Sequence, residues 1–405
     1  MPNHHQPTIV LKPQKEESVL RFHPWVFSGA IAKIILDKDY PHTEPQEGEI
    51  VKVADSTGKT LAVGHWQIGS IAVRILAFGV EALPKDFWQE RIHAAWQLRQ
   101  SLGLWRFDNN TFRLVHGEGD FLPGLIVDVY ADTAVVQAHS VGMHLHRMEI
   151  AQAITKVVPI IKHVYYKSDD TLPFKAPLTG DKTGYLIGST TADDFWAIEN
   201  SLQFRIDWLQ GQKTGFFVDQ RENRSLLEQY ASGRDVLNMF CYTGGFSVYA
   251  LRGGAKSVTS VDVSAKAIEL VKANVARNFP DSTAHFAYAA DAFDFLDKEI
   301  NKYDLIILDP PAFAKHRDAI KNALRGYRRL NAKAIEKIKT GGILFTFSCS
   351  QAIDKDMFRL AVLSAAKQVG RKVRILHQLH QPADHPINIY HPESEYLKGL
   401  VLYVE

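Results

Sequence analysis

The sequence contains almost no cysteine. Cys241 and Cys349 are the only two among 405 residues. This number is too small for a secreted disulfide framework, and the spacing does not suit a zinc ribbon or knuckle. Each of the two cysteines must therefore be considered for its chemical reactivity.

The sequence also lacks a strong charge bias, long apolar runs and low-complexity tracts. The net charge of +2 neither requires nor excludes a polyanionic partner, because a basic patch can occur within a balanced total. No segment has the length and apolar character of a membrane span, and residues 1–17 lack the charged and apolar regions of a secretory signal. We therefore expect a cytoplasmic protein.

The length of 405 residues exceeds what one hydrophobic core usually supports, so we expect two or three domains. Residues 1–80 contain short apolar runs separated by glycines, which predicts a compact β-barrel with strands at 9–11, 49–54, 61–66 and 71–76. Residues 81–198 predict an α+β module. Its helices are expected at 86–102 and 145–158, and its strands at 112–115, 124–130, 133–139 and 163–167.

Residues 199–405 alternate between strand and helix patterns, which predicts an α/β domain with a doubly wound parallel sheet. The strands are expected at 236–240, 257–262, 284–289, 303–308 and 342–348, with helices from 247, at 265–278 and at 320–338. Segments 305–308 and 343–347 are continuously apolar, as expected for strands that helices cover on both faces. Segments 373–378 and 397–404 predict a terminal antiparallel pair.

A glycine turn after the first strand of this domain is a candidate nucleoside site. Gly244 and Gly245 let the backbone approach a ligand at the carboxyl end of the strand, and Asp262 at the end of the next strand can bind ribose hydroxyls. Asp291, after the third strand, can bind an adenine amino group. No third glycine completes a dinucleotide motif, which favours adenosine without a pyrophosphate, although a purely structural turn stays an alternative.

Two reactive side chains follow the fourth and fifth strands. Asp309 precedes two prolines, which remove backbone donors and stiffen the strand exit, so that its carboxylate is held at the ligand crevice and can bind a base edge. The alternative is a simple strand terminator. Cys349 follows the neighbouring strand, where a thiolate can attack C6 of a pyrimidine and so activate C5 for methylation. Cys241 lies inside the glycine turn, where we expect a packing role. His377, His380 and His385 crowd one loop, but without a recognisable ligand set we expect no metal.

The chain resembles, over nearly its whole length, the bacterial ribosomal RNA large subunit methyltransferase I family, which makes 5-methylcytosine in 23S rRNA. The motifs that carry the resemblance are Phe22-His-Pro-Trp-Val-Phe-Ser-Gly29, Gly211-Gln-Lys-Thr-Gly-Phe-Phe-Val-Asp-Gln-Arg221, Tyr242-Thr-Gly-Gly-Phe246, Asp309-Pro-Pro-Ala-Phe313, Phe347-Ser-Cys-Ser350 and Ala383-Asp-His-Pro386. The resemblance implies a PUA-like barrel, a central α+β domain and a Rossmann-like methyltransferase domain that uses S-adenosyl-L-methionine. It also implies that Cys349 is the nucleophile.

The cofactor contacts that the resemblance implies lie on four strand ends. They are Phe240, Tyr242, Thr243, Gly244, Gly245, Asp262, Val263, Asp291, Ala292 and Asp309. Many RNA 5-methylcytosine enzymes carry a second cysteine after the proline of the fourth-strand motif, and here Ala312 follows Pro311. A mechanism with one cysteine is therefore implied, and removal of the C5 proton needs another base, for which Asp309 and a water molecule are the candidates.

A basic segment beside the fourth strand can hold RNA phosphates. The candidate RNA contacts are Lys315, Arg317, Lys321, Arg325 and Arg328, together with His385 of the last motif. Lys321, Arg325 and Arg328 share one face of the predicted helix, with an ordinary solvated helix face as the alternative. The target base would be flipped into the pocket. The expected partner is 23S rRNA, and a homodimer is left open.

Three other functions remain possible from the sequence. An enzyme that methylates a nitrogen of guanine or adenine can use an Asp-Pro-Pro-aromatic segment, but it needs no cysteine. A non-catalytic RNA-binding or assembly protein can keep the fold, but the retained Gly244, Gly245, Asp262 and Asp309 disfavour it. A nicotinamide oxidoreductase would require a third glycine and a pyrophosphate site.

Overall fold

The computed structural model describes residues 6–172, 180–190, 194–298, 302–314 and 317–405, with the side chain of Arg317 left out. Contacts within the chain define two compact units. The first unit is formed by Met1–Asp193, Asp207–Val218 and Ala383–Ser394. The second unit is formed by Asp194–Ile206, Asp219–Pro382 and Glu395–Glu405. In the described residues, no helix is long and apolar enough to cross a membrane.

The first unit begins with a six-stranded sheet. Its elements are β1 (Thr8–Leu11), α1 (Glu17–Leu20), β2 (Trp25–Phe27), β3 (Ile31–Ile35), β4 (Ile50–Ala54), β5 (Thr60–Trp66) and β6 (Ile71–Phe78). The strand order is β2-β6-β5-β4-β1-β3, and all pairs are antiparallel except β1 with β4. Ile9, Val51, Val53 and Val73 are fully buried in its core, as expected for strands with one apolar face.

A second sheet of the first unit carries helices. Its elements are α2 (Phe87–Ser101), β7 (Thr111–His116), β8 (Leu125–Tyr130), β9 (Thr133–Ala138), α3 (Val141–Leu145), α4 (Arg147–Val157), β10 (His163–Lys167) and β11 (Thr183–Ile187). The strand order is β11-β10-β9-β8-β7. Strands β9 and β10 are parallel, and the connection between them contains α3 and α4, because parallel neighbours need a crossover. α4 buries Ile150 and Ile154, one helical turn apart, in the core.

Buried hydrogen bonds join the segment 383–394 to the rest of the first unit. Arg99 is completely buried and donates to both carboxylate oxygens of Asp120. The same guanidinium donates to the carbonyl oxygen of Asp384 over 2.7 Å, and the Asp384 carboxylate accepts from the backbone N–H of Arg113 over 3.0 Å. Since a buried charge is tolerated only when it is paired and hydrogen-bonded, these contacts fix the segment in place.

The second unit contains a hairpin and a seven-stranded sheet. Its elements are β12 (Trp196–Glu199), β13 (Leu202–Arg205), α5 (Arg221–Ala231), β14 (Asp235–Met239), α6 (Gly245–Arg252), β15 (Ser257–Asp262), α7 (Ala265–Asn278), β16 (His285–Ala289), α8 (Ala292–Lys298), β17 (Leu305–Leu308), α9 (Ile320–Lys337), β18 (Gly342–Ser348), α10 (Lys355–Val369), β19 (Val373–His380) and β20 (Lys398–Val404). The order of the large sheet is β16-β15-β14-β17-β18-β20-β19.

The five strands β14 to β18 of the large sheet are parallel, and β20 pairs antiparallel with both β18 and β19. All residues of β17 and β18 are buried, and apolar clusters that include residues from the flanking helices lie against the sheet. This agrees with continuously apolar strands that helices cover on both faces. The predicted doubly wound α/β domain with a terminal antiparallel pair is confirmed.

Several elements were not expected from the sequence. The strands β2, β3, β11, β12 and β13 are short, and α1 and α3 span 4 and 5 residues, too few to establish a period. The helix α5 was missed because its sequence is largely polar, although it buries one of its faces. The division into domains 1–80, 81–198 and 199–405 remains our proposal.

Candidate active site

The carboxyl ends of the five parallel strands lie along one edge of the large sheet. Met239 of β14 pairs with Val261 of β15 on one side and with Leu308 of β17 on the other. Leu308 in turn pairs with Thr346 of β18. The strand order therefore reverses between β14 and β17, and open α/β sheets bind ligands in the crevice at such a reversal. The candidate residues after all five strands are brought to this edge.

The turn between β14 and α6 has an unusual backbone. Phe240, Tyr242 and Gly244 have φ angles of 58°, 46° and 79°, in the left-handed region that costs a non-glycine residue on the order of 1–3 kcal/mol. A Cβ atom on Gly244 would lie 2.9 Å from the side chain of Val271, so this position requires glycine. Asn274 donates over 2.7 Å to the carbonyl oxygen of Thr243. The turn is thus held in a strained conformation by its surroundings.

The carboxylate of Asp262 organises the same turn. Its Oδ2 atom accepts from the backbone N–H of Tyr242 over 3.0 Å, and Oδ1 accepts from the backbone N–H of Ser264 over 2.9 Å. The next residue, Val263, is 79% exposed. A nucleoside has an apolar base face and polar hydroxyl groups. The exposed Val263 side chain can contact the base face, and the fixed Asp262 carboxylate can bind the hydroxyl groups.

Asp291 and Ala292 lie after β16. The Asp291 carboxylate accepts from the backbone N–H groups of Phe293 and Asp294 over 2.8 and 3.1 Å, so it caps the start of α8. Asp291 is exposed, whereas Ala292 is buried in the core. A ligand at this strand end can therefore meet the carboxylate of Asp291, and Ala292 contributes mainly packing.

A buried ion pair packs against the turn between β14 and α6. The Arg224 guanidinium donates to both oxygens of Glu199 over 2.9 and 2.7 Å, and the hydroxyl of Tyr249 donates to the same carboxylate over 3.0 Å. A Cβ atom on Gly245 would lie 2.9 Å from the Arg224 side chain. Gly245 is therefore needed at the start of α6 because Arg224 packs directly against it.

The Asp309 carboxylate is oriented by residues that the sequence did not single out. Gln220 donates to Oδ2 of Asp309 over 3.0 Å, and Asn223 donates to Oε1 of Gln220 over 2.6 Å. Asp219, Gln220 and Asn223 are all buried. Buried polar residues need hydrogen-bond partners, which this network supplies. The sequence carried no signal for it, because the burial of these side chains is visible only in the folded chain.

Cys349 lies in the loop after β18, next to the segment after β17. Its Sγ atom is 4.0 Å from the carbonyl oxygen of Pro310, and the residue is partly exposed. Ser350 joins the two loops, because its hydroxyl oxygen accepts from the backbone N–H of Ala314 over 3.2 Å. The structure therefore brings Cys349 and the segment after Asp309 to neighbouring positions, as the order of the strands predicted.

Tyr327 of α9 forms hydrogen bonds to the loop that carries Cys349, which we call the cysteine loop. Its hydroxyl accepts from Ser348 over 3.0 Å and bonds Ser350 over 2.9 Å. Burial raises the pKa of Tyr327, so the hydroxyl stays protonated. Lys398 donates over 2.7 Å to the carbonyl oxygen of Ser350, and burial lowers the pKa of this ammonium group to about 8. The residues on both sides of Cys349 are thus fixed by hydrogen bonds.

Cys241, by contrast, is buried within the glycine turn, with 6% of its surface exposed. Burial raises the pKa of its thiol well above the ordinary value, and the nearby Asp262 carboxylate raises it further. Such a thiol is a poor source of thiolate. The geometry therefore favours Cys349 over Cys241 as a nucleophile.

The basic face lies on α9. Lys321, Arg325 and Arg328 are exposed, as a phosphate-binding surface requires. Lys315 lies outside the described residues, and only the backbone of Arg317 is described, at the start of a 3-10 turn. Solvation alone also accounts for three exposed cations on one face of an amphipathic helix.

The three histidines near residue 380 do not share one loop. His377 and His380 lie in β19, where they bond the hydroxyl of Tyr230 over 2.8 Å and the carbonyl oxygen of Gln381 over 2.7 Å. His385 belongs to the first unit, is 1% exposed and lies 3.0 Å from the Asp384 carboxylate. The expected crowding of these histidines is therefore wrong. A direct contact between RNA and His385 would first require exposure of its ring.

Comparisons with known proteins agree with this geometry. A family model described as S-adenosylmethionine-dependent methyltransferase matches residues 179–394, and a model described as a PUA-like domain matches residues 9–78. The predicted PUA-like module, the methyltransferase domain and the cofactor S-adenosyl-L-methionine are thereby confirmed.

Several curated relatives match along their whole length. The protein from Tolumonas auensis named ribosomal RNA large subunit methyltransferase I is 40% identical over 401 residues, which cover 98% of this chain and 98% of the relative. The protein of the same name from Alteromonas mediterranea is 40% identical over 404 residues, covering 97% and 98%.

Solved structures show the same fold. A putative methyltransferase from Streptococcus mutans has a TM-score of 0.82 at 22% identity and covers 98% of this chain and 100% of that chain. Another putative methyltransferase, solved in complex with SAH, has a TM-score of 0.82 at 23% identity, with the same coverage of both chains. At this level of identity the likeness concerns the fold.

Proposed function

The chain belongs to the ribosomal RNA large subunit methyltransferase I family of S-adenosylmethionine-dependent enzymes, and from this we propose that it methylates C5 of a cytosine in 23S rRNA. The observation that carries the proposal is the position of Cys349 beside the segment that follows Asp309. Carbon C5 of cytosine is too inert to be methylated directly, whereas a nitrogen needs no covalent activation. A cysteine at this strand end therefore favours C5 chemistry.

The chemistry starts at Cys349. Its thiolate adds to C6 of the flipped cytosine and forms an S–C6 bond, and electron density moves to C5. When bound, S-adenosyl-L-methionine would supply the methyl group for C5, with cleavage of its S–CH3 bond and departure of S-adenosyl-L-homocysteine. Loss of the C5 proton to a base then restores the C5–C6 double bond and expels the cysteine thiolate. The enzyme is regenerated without a second cysteine.

The residues around the glycine turn fit the cofactor. Gly244 allows the left-handed turn that presents the backbone at the end of β14, because a side chain here would collide with Val271. Asp262 would accept from the ribose hydroxyls, and Asp291 from the adenine amino group. Phe240 and the segment from Tyr242 to Gly245, together with the exposed Val263, would line the nucleoside site. These proposed cofactor contacts are the residues that the sequence analysis predicted, and all of them lie at or after the ends of strands that end at the same edge of the large sheet.

Asp309 is our candidate for the base or for the group that orients a water molecule. Its carboxylate is held by Gln220, and Gln220 is fixed by Asn223. A positioned carboxylate can accept the C5 proton directly or through one water molecule. The same carboxylate can instead bind the amino group of the cytosine, and the pH profile of a Gln220 variant would separate these roles.

The RNA would approach over the exposed cations of α9. Lys321, Arg325 and Arg328 can contact phosphates next to the flipped nucleotide. The PUA-like module provides a second surface for RNA, by analogy with the domain to which it is similar. Ribosomal RNA as substrate agrees with a cytoplasmic location. Lys315 and Arg317 remain candidates for contacts with RNA phosphates, whereas His385 does not, because it is buried.

The experiment is transfer of a labelled methyl group from S-adenosyl-L-methionine to 23S rRNA, followed by nucleoside analysis. We compare the wild type with Cys349→Ala and, as the matched control, Cys241→Ala, using both protein-free rRNA and assembled subunits. The expected product is 5-methylcytosine, lost in Cys349→Ala and retained in Cys241→Ala. A methylated purine, or full activity of Cys349→Ala, would refute the covalent mechanism and support N-methylation. Cofactor binding without turnover on either RNA would support a non-catalytic role.

A further inference from the structure

Three potential metal ligands meet in the first unit. One donor atom from each of His23, His391 and Glu393 can be chosen so that all three lie within 4.8 Å of one another. His23 precedes β2, whereas the other two belong to the segment 383–394. We call these three residues the His-His-Glu group. It is distinct from the histidines that the sequence analysis considered.

His391 is the member of the group that most needs a ligand. Only 1% of its surface is exposed, and neither ring nitrogen has a hydrogen-bond partner among the described residues. Its Nε2 atom lies 3.8 Å from Oε2 of Glu393. Buried polar atoms are nearly always satisfied, and an exception indicates a missing water molecule or ion.

His23 is already oriented as a metal ligand would be. Its Nδ1 atom lies 3.1 Å from the carbonyl oxygen and 3.2 Å from the backbone nitrogen of Trp25. In the tautomer in which the Nδ1–H group donates to the Trp25 carbonyl oxygen, Nε2 carries no proton and can coordinate a metal ion. Metal-bound histidines usually bond a backbone carbonyl or a carboxylate through the other ring nitrogen, which fixes the tautomer and the ring orientation.

The surroundings of the group are rigid. The indole nitrogen of Trp25 donates to Glu118 over 2.9 Å, and Arg74 donates to the same carboxylate oxygen over 2.9 Å. The ring of His391 packs against Trp25 with 4.2 Å between centroids. Asn388 donates over 3.0 Å to the carbonyl oxygen of Glu118. The histidine rings therefore sit on a fixed frame and not on a loose loop.

We propose that His23, His391 and Glu393 bind one divalent transition-metal ion, for which Zn²⁺ is the best match. Two imidazoles and one carboxylate form a nitrogen and oxygen ligand set that suits Zn²⁺, with the fourth position open to water. Tetrahedral coordination with bonds of about 2.0–2.1 Å requires the donors to approach within roughly 3.4 Å of one another. Glu393 is exposed, on the short 3-10 turn Pro392–Ser394, so its side chain can move toward the histidines, and small rotations of the two imidazole rings would bring their donors together.

The ion would act on the fold and not on the methyl transfer. It would tie the segment 383–394 to the start of β2 through His391 and His23. Metal bound by ligands from separate parts of a chain stabilises the folded state, since the site does not exist in the unfolded chain. The proposal does not depend on the RNA that the enzyme methylates.

The test measures Zn²⁺ binding to the chelator-treated full-length protein by titration calorimetry and Co²⁺ binding by visible absorption. The variants are His391→Gln and Glu393→Gln, and the matched control is His93→Gln, at an exposed histidine of α2. We expect one bound ion in the wild type and in the control. Both group variants should bind at least about tenfold more weakly, since even outer partners of a metal site contribute this much.

Glu393→Gln keeps the proposal testable if His391→Gln fails to fold, because Glu393 is exposed. Zn²⁺ should also raise the unfolding temperature of the wild type and of His93→Gln, but not that of Glu393→Gln. Binding that is equal in Glu393→Gln and in the wild type would place the ion elsewhere, for example at His4 and His5, which are consecutive in the sequence, and would overturn the proposal. Absence of binding by the wild type would overturn it as well.

Discussion

Replacement of Tyr327 by phenylalanine removes only the hydroxyl group that forms hydrogen bonds to the cysteine loop. The Tyr327 ring is fully buried and packs against Phe313 and Phe358 with centroid distances of 4.7 and 5.3 Å. A phenylalanine ring retains these contacts, so no cavity of side-chain size forms. The change therefore isolates the two hydrogen bonds to Ser348 and Ser350.

The stability cost follows from these two bonds. Ser348 donates to the Tyr327 oxygen and would lose its acceptor in a buried position. Ser350 keeps its bond from the backbone N–H of Ala314. A buried donor without a partner costs about 1–3 kcal/mol, and we expect the free energy of unfolding to fall by this amount. Urea unfolding monitored by fluorescence measures it.

The effect on catalysis should exceed what reduced stability explains. Tyr327 bonds the residues on both sides of Cys349, so its loss lets the thiol move within the loop. A displacement of about 1 Å can lower a rate by on the order of 100-fold. We expect kcat to fall by about tenfold to 100-fold while KM for RNA changes little, and alkylation of Cys349 to change its rate.

The matched control is Tyr230→Phe, which removes one hydrogen bond, to His377 over 2.8 Å, in the same unit. It should lower stability by about 1 kcal/mol and leave kcat unchanged. An unchanged kcat in Tyr327→Phe, with the predicted loss of stability, would show that Tyr327 supports the fold without positioning the nucleophile. Equal losses of kcat in both variants would mean that activity simply follows stability.

Three further predictions concern single residues. Gly244→Ala should weaken binding of S-adenosyl-L-methionine in a calorimetric titration, whereas Gly254→Ala, with the same φ of 79° but no Cβ contact closer than 3.8 Å, should not. Burial lowers the pKa of Lys398 in the folded protein to about 8 from 10.5. Between about pH 8 and pH 10.5 the unfolded chain therefore binds more protons at this position than the folded chain. The stability of the wild type relative to Lys398→Met, measured by urea titration, should rise over this range. Arg325→Gln should reduce the salt dependence of RNA binding by about one ion, and Lys337→Gln, at the far end of α9, should leave it unchanged; an unchanged salt dependence in Arg325→Gln would remove Arg325 from the RNA surface.

The large sheet could be predicted from the sequence because its strands are continuously apolar and alternate with amphipathic helices. This pattern also placed Asp262, Asp309 and Cys349 on one edge, since the carboxyl ends of parallel strands meet there. The prediction needed only the order of residues along the chain. No long-range contact had to be known.

The polar network around the site could not be predicted in the same way. Gln220 and Asn223 lie at or near the start of a largely polar helix, and only the folded chain shows that they are buried and directed toward Asp309. The burial of His385 was missed for a similar reason, because its partner Asp384 is fixed by Arg99 and Arg113. A buried polar residue is recognisable only with its partners.

The segment 383–394 has a consequence for the order in which the chain acquires its structure. The bond from Arg99 to the carbonyl oxygen of Asp384 joins residues 285 positions apart, and the bond from Arg113 to its carboxylate spans 271 positions. During synthesis the earlier domains generally fold first, but here the first unit must wait until nearly the whole chain has emerged. In nascent chains that stop before residue 383, the first unit should therefore be incompletely folded, because it lacks the two hydrogen bonds to Asp384. Its final consolidation becomes a late event, coupled to completion of translation.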